Sequence, residues 1–312
     1  MKKVTQNQYG DTSVLKIIDC DKPRLTSKRQ VLVKVQYSSL NAIDWKNRKG
    51  LFRIFSGWFS PRSQPGFDIV GSIVDKSDDV NDLEIGDKIL SLLGTLKGGA
   101  FSQYVIINAG YAIKIDPSAD ETIFAGLPMA ASTAWMALVS LGKIKQGDKV
   151  LINGGSSGVG HYAVQIAKYY GAEVTAVTSG KNEAFCRELG ADNTVNYQNE
   201  KFTEKAEQYN IIFDVVSNSS FHAIKPILAP NGIYIDTNMS LSLIKDLLIH
   251  KQVKFVSVHP DRKVLQEIVQ MAETGKLKTH IAKVYPINDV IEAHKEMEQS
   301  RTVGKIIMKI DW

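Results

Sequence analysis

Residues 149–182 read KVLINGGSSGVGHYAVQIAKYYGAEVTAVTSGKN. The apolar run Val150-Leu151-Ile152 ends in a Gly/Ser-rich turn, after which Val159, Ala163, Ile166 and Tyr170 recur at helical spacing. Gly171-Ala172 stops that segment, and a second apolar run, Val174 to Val177, follows. Strand, glycine turn, helix, strand is a βαβ unit with a turn suited to phosphate. Gly155 allows the tight turn. Ser157 and Gly158 keep the loop small enough for a pyrophosphate to come close, and Gly160 lets the helix pack on its strand. Ser156 and Val159 complete the cradle, and the helix N-terminus supplies N–H donors. The strict fingerprint has Gly where Ser157 stands, so glycine spacing alone is weak; the strand–turn–helix–strand context carries the assignment to a dinucleotide.

An NAD site places a carboxylate at the end of the second strand, to accept from the ribose 2′-OH. Here that strand runs into Thr178-Ser179-Gly180-Lys181-Asn182, with no carboxylate before Glu183. A hydroxyl and a cation suit a 2′-phosphate, which an acidic residue would repel. NADPH is therefore the expected cofactor, against the plainer reading that Lys181 only solvates a helix start.

Working outward, the 312 residues suffice for two domains with separate cores. Hydrophobic content of 44% and charged content of 23% are ordinary for a globular chain. The net charge of +5 is mild and scattered, which argues weakly for nucleic acid. No apolar stretch reaches membrane-spanning length, and Met1-Lys2-Lys3 leads into polar sequence, so a cytoplasmic protein is expected. Cys20 and Cys186 lie far apart, form no metal spacing, and read as reduced and structural. All 6 histidines follow residue 160, which leaves the N-terminal half without imidazole for a zinc site. No metal is expected.

Residues 1 to about 120 read as β-rich. Val31, Val33 and Val35 alternate with Leu32, Lys34 and Gln36; further strands are expected at 66–74, interrupted by a glycine where a barrel can bend, near 85–90, and at 101–107. Glu121 to Leu141 reads as one long helical segment interrupted by Pro128. Beyond the βαβ unit, strands at 194–197, 211–216 and 232–236 alternate with helical stretches, the pattern of a doubly wound parallel sheet. Residues 264–275 read as an amphipathic helix and 303–310 as a final strand returning to the first domain. The expected division is 1–120 with 276–312, and 121–275.

The chain resembles the zinc-free medium-chain dehydrogenases/reductases, in their quinone oxidoreductase-like branch that reduces alkenals and enones. The resemblance spans nearly the whole length. It rests on residues 41–46 (NAIDWK), 65–71 (PGFDIVG), 86–88 (GDK), 98–105 (GGAFSQYV), 127–135 (LPMAASTAW), the glycine turn into 161–165 (HYAVQ), and 303–305 (VGK). Ala42 departs from the usual Asn-Pro-x-Asp pattern, a change expected to affect loop rigidity more than chemistry. The resemblance implies a GroES-like β-barrel-type substrate domain and a Rossmann domain, with the active site in the cleft between them.

It further implies NADPH-dependent, zinc-independent hydride transfer to α,β-unsaturated carbonyls or quinones. Asn41 then lies at the nicotinamide end, with Trp45 and Lys46 lining the same cleft; Lys46 reads either as proton donor or as a solvated loop lysine. Asp44 is expected to hold the loop together. Thr133 and Asn218 approach the nicotinamide half, Tyr197 lies against the adenosine ribose or phosphate, and Ser179 and Lys181 read the 2′-phosphate. His161 is expected only to pack or face solvent. Quinone reduction as the main activity is the alternative, and a low-turnover NADPH- or RNA-binding protein is a third reading. Dimerisation through the Rossmann sheet edge is a family habit. The aromatic stretch 51–59 (LFRIFSGWF) reads as packing, as a lid, or as a membrane contact.

Overall fold

The computed structural model describes residues 1–53 and 57–312. The chain divides into two compact units: Met1–Met129 with His259–Thr274 and Thr279–Trp312, and Ala130–Val258 with Gly275–Lys278. The strands of the first unit are β1 (Lys2–Thr5), β2 (Lys16–Asp19), β3 (Gln30–Leu40), β4 (Asp68–Lys76), β5 (Lys88–Leu92), β6 (Tyr104–Asn108) and β7 (Ile113–Lys114). The second unit supplies β8 (Lys149–Asn153), β9 (Glu173–Thr178), β10 (Asn193–Asn196), β11 (Tyr209–Asp214), β12 (Leu228–Asp236) and β13 (Val253–Phe255). The chain then returns to the first unit for β14 (Ile281–Pro286) and β15 (Lys305–Lys309).

The first unit is organised on β3. Its N-terminal half pairs with β6, its C-terminal half with β15, and its other edge with β4. One strand thus changes partners along its length, as a sheet closing into a barrel requires. Val31, Val33 and Val35 are buried together with Ile69, Ile89, Phe101 and Met308. A Cβ at Gly71 would lie 2.2 Å from the Lys34 carbonyl oxygen, next to the register shift between Val35 and Tyr37. The glycine in the 66–74 pattern therefore sits where the bulged neighbour comes closest.

In the second unit the sheet order is β10-β9-β8-β11-β12-β13, with every pair parallel. Numbered within the unit this is 3-2-1-4-5-6, the order of a dinucleotide-binding sheet. β8 and β9 are buried over all but their first residue, as interior strands of a parallel sheet are. β13 was not anticipated from sequence, because three residues are too few to display a period.

Two further differences from the sequence reading have simple causes. The segment 121–141 forms three pieces: helix Glu121–Ala125, capped by the Asp120 side chain, helix Pro128–Trp135, and a π-helical turn at Met136–Leu141. Pro128 opens the second helix, where its missing N–H costs nothing. Residues 259–274 group with the first unit. There Arg262 Nη1 donates to the Ala109 carbonyl at 3.3 Å, and Glu273 accepts from the Asp116 N–H at 3.4 Å. Amphipathic spacing shows that a helix buries one face, without showing which sheet lies beneath.

Within the stretch 51–59, residues 54–56 lie outside the described residues; Leu51, Trp58 and Phe59 are exposed, Phe59 to 90%.

Candidate functional site

In the second unit, the turn after β8 has the geometry of a phosphate cradle. The N–H groups of Gly154 and Gly155 both bond the Val177 carbonyl at 3.0 Å, which fixes the turn to β9. A Cβ at Gly160 would lie 2.0 Å from the Gly154 carbonyl oxygen, so helix Gly160–Tyr169 can start this close only at a glycine. Ser157, where the fingerprint has glycine, accepts from Gly160 N at its Oγ (3.1 Å) and from His161 N at its carbonyl (3.0 Å). Among the described residues, the N–H groups of Ser156, Gly158 and Val159 have no acceptor. Three free donors at one helix start fit a pyrophosphate. His161 is fully buried, as expected of a packing residue.

Next to this turn, Ser156 Oγ bonds Thr178 Oγ1 at 2.9 Å and accepts from Asn182 Nδ2 at 3.2 Å, tying the loop to the end of β9. Ser179 is 8% exposed, whereas Lys181 is exposed and makes no ion pair among the described residues. The Tyr197 N–H bonds the Thr178 carbonyl at 3.1 Å, and its ring is 61% exposed. Ser179, Lys181 and Tyr197 thus flank one strand end. Cys186 is buried beside Gly155, and burial pushes its thiol up to about 11.

On the other side of β8, Asn153 donates through Nδ2 to Asp214 Oδ1 and to Asn218 Oδ1, each at 2.8 Å. Asp214 also accepts from the N–H groups of Val216 (3.1 Å), Ser217 (2.7 Å) and Ser219 (3.3 Å). Burial, opposed by these donors and assisted by Asp236, holds its carboxyl up at about 6. Asn153 and Asp214 escaped the sequence reading because each looks like an ordinary strand end. Thr133 lies on helix Pro128–Trp135 and is 8% exposed.

The first unit holds a buried polar chain. Lys305 on β15, 2% exposed, donates to Asn41 Oδ1 at 2.5 Å and to the Leu40 carbonyl at 3.3 Å. Asn41 Nδ2 donates to Asp68 Oδ2 at 2.7 Å, and Asp68 also accepts from Ser39 Oγ and, at 2.7 Å, from Met129 N. Burial pushes the Asp68 carboxyl up and the Lys305 ammonium down, each opposed by the other's charge. The oxygen and the nitrogen of the Asn41 amide are thus both engaged inside the protein, at 7% exposure. Trp45 and Lys46, on helix Ala42–Arg48, are half-buried, with Lys46 Nζ 6.0 Å from the Trp45 ring centre.

Asp44 ties the loop together, accepting from Asn41 N and Gly66 N at 2.8 Å each. Burial raises its carboxyl from 3.8 to about 7. The folded state therefore binds this proton more tightly than the unfolded chain, and stability falls as pH rises between those values. Relative to Asp44→Asn, the native chain should lose about 4 kcal/mol of stability from pH 4 to pH 8. Urea unfolding of both proteins across that range checks this; a constant difference would refute it.

Residues 27–117 match the alcohol dehydrogenase GroES-like domain, and residues 189–308 match the domain described as zinc-binding dehydrogenase. The chain is 30% identical to the chloroplastic quinone-oxidoreductase homolog of Spinacia oleracea, over 96% of this chain and 95% of that one. It is 28% identical to the chloroplastic NADPH-dependent alkenal/one oxidoreductase of Arabidopsis thaliana, over 99% and 79%. The solved quinone oxidoreductase from Coxiella burnetii superposes with a TM-score of 0.90 at 28% identity, covering 100% of this chain and 99% of that one. The chain belongs to the medium-chain dehydrogenase/reductase family, among the quinone oxidoreductase-like members. It is an oxidoreductase of small molecules, built from a GroES-like domain and a Rossmann-type domain that serves a nicotinamide cofactor. Among the described residues, no group of three or more His, Cys, Asp or Glu could hold a metal, and no helix is long and apolar enough to cross a membrane.

Proposed function

We propose that the protein is an NADPH-dependent, zinc-independent reductase of α,β-unsaturated carbonyls or quinones, acting in the cytoplasm. The observation that carries the NADPH reading is the end of β9: Ser179 and an unpaired Lys181 beside exposed Tyr197, with no carboxylate before Glu183. A 2′-phosphate gains charge-assisted hydrogen bonds there and meets no repulsion. The free N–H groups of Ser156, Gly158 and Val159 bind the pyrophosphate, and Asn218 and Thr133 serve the nicotinamide half. When bound, the reduced cofactor supplies hydride.

For the acceptor, the names of the relatives point to enones and quinones. Reduction of an enone at its β-carbon builds negative charge on the carbonyl oxygen, which nearby donors stabilise. Trp45 and Lys46 are the proposed substrate-facing side chains, with Lys46 as proton donor. Asn41 acts through the shape of the loop it caps, since its own amide is already occupied.

The test is NADPH oxidation against a 2-alkenal, a cyclic enone and a benzoquinone, each run also with NADH and with a chelator. Chelator-insensitive turnover with NADPH is the expected result. Lys181→Ala should lower the preference for NADPH over NADH by about 10- to 100-fold, the worth of one charge-assisted hydrogen bond. A native preference for NADH would overturn the cofactor assignment; turnover of the quinone alone would make quinone reduction the main activity.

A further inference from the structure

Asp214 and Asn153 end adjacent strands, β11 and β8, at the point where the strand order reverses. Ligands of doubly wound sheets bind at such a point. The hydrogen bonds there have a fixed direction. The Asp214 carboxylate already accepts from Val216 N and Ser217 N, so it faces donors, and the Asn153 amide must turn its Nδ2 toward it. The second hydrogen on that nitrogen reaches Asn218 Oδ1 at 2.8 Å. The carbonyl end of Asn218 is thereby occupied. Its Nδ2 finds no acceptor among the described residues, and the residue is exposed.

We propose that Asp214 and Asn153 are positioning residues that set the Asn218 amide as a hydrogen-bond donor toward the riboside half of a nicotinamide cofactor. This rests on the reading of the second unit as the cofactor site. Asn153 is 4% exposed and acts through its neighbour instead of touching the ligand. The turn that carries Asn218 is held just as firmly. Ser217 adopts a left-handed φ of 58°, unusual for a residue with a side chain. Its N–H is fixed by Asp214, and its Oγ by Asp236 and, at 3.0 Å, Thr237. A turn held from three strand ends presents the amide in one orientation.

The sheet order also separates this contact from the one made by Lys181. Lys181 follows β9 on one side of β8, and Asn218 follows β11 on the other. A dinucleotide laid across β8 meets Lys181 with its 2′-phosphate end and Asn218 with its other end. That other half is common to NADPH and NADH, and the acceptor is a hydroxyl or amide oxygen rather than a phosphate. Loss of the Asn218 donor should therefore weaken both cofactors alike.

The experiment is a double-mutant cycle read by cofactor binding. Full-length protein is titrated with NADPH and with NADH, following tryptophan fluorescence, and the melting temperature without cofactor is recorded. Asn153→Ala and Asn218→Ala should each raise Kd for both cofactors about five- to tenfold, and the double variant should be no weaker than either single one. Asn153→Asp, which turns an oxygen toward Asn218 Oδ1, should bind less tightly than Asn153→Ala. If Asn153→Ala fails to fold, Asn153→Ser takes its place in the cycle. Losses that multiply in the double variant, an unchanged Kd in the Asn153 variant, or a loss confined to NADPH would each overturn the proposal. Native protein that binds neither cofactor would overturn the underlying reading as well.

Discussion

Lys305→Met should destabilise the protein by about 3–5 kcal/mol, the usual result of removing one partner from a buried charge network. Lys305 is 2% exposed on β15, and its ammonium reaches Asp68 through the Asn41 amide. Methionine fills much the same volume, so the loss would be electrostatic. Asp68 would keep its carboxylate in the interior with the opposing charge gone, and Asn41 Oδ1 would lose its donor. A domain has only about 5–15 kcal/mol in hand, so such a variant should be largely unfolded at moderate urea. Adding Asp68→Asn removes the stranded charge while keeping an oxygen for the Met129 N–H, and should recover about half of the loss. Equilibrium urea unfolding of the single and double variants measures both effects. A loss below about 1 kcal/mol in Lys305→Met would show that the chain of bonds is dispensable.

Gly160→Ala should abolish practical cofactor binding. The added Cβ would sit 2.0 Å from the Gly154 carbonyl oxygen, 2.8 Å from its carbon and 3.0 Å from Gly155 Cα. All three are backbone atoms, so no side chain can swing aside. The turn has to move away from the helix, and the N–H groups of Ser156, Gly158 and Val159 then no longer converge. Losing two charge-assisted bonds of about 1.5–2 kcal/mol each raises Kd for NADPH about 10²- to 10³-fold. Gly94→Ala, where an added Cβ meets nothing within 4 Å, is the matched control and should bind as the native protein does. Equal affinities of the two variants would remove the cradle from the account.

Residues 149–182 disclosed the second unit because a βαβ crossover is local. Strand, turn and helix follow one another, and the glycines mark close approaches between neighbours in sequence. The end of β9 was readable for the same reason. The polar chains of both units were not. Asn153 meets Asp214 61 residues away, and Lys305 meets Asn41 264 residues away. No periodicity reports such a meeting. Lys305 belongs to the family-like stretch Val303-Gly304-Lys305, yet a lysine beginning a strand reads as a solvent-facing residue until its partners are placed. Asn41 shows the opposite case. Residue type and family likeness pointed to it, but only the structure shows that its amide is engaged by Lys305 and Asp68.

The pairing of β3 with β15 also bears on how the chain acquires its structure during synthesis. Nearly all of the second unit, Ala130–Val258, is one uninterrupted stretch, so it can form as soon as it leaves the ribosome. The first unit cannot. Along one edge, residues 37–40 of β3 pair with 306–309, and Gln103 donates to the carbonyl of Trp312. Until residues 305–312 emerge, the nascent barrel keeps an open strand edge at β3 and lacks the Lys305 charge that opposes Asp68. The half translated first is therefore the half completed last, and it is the part of the molecule exposed longest to chaperones and to mispairing with other chains.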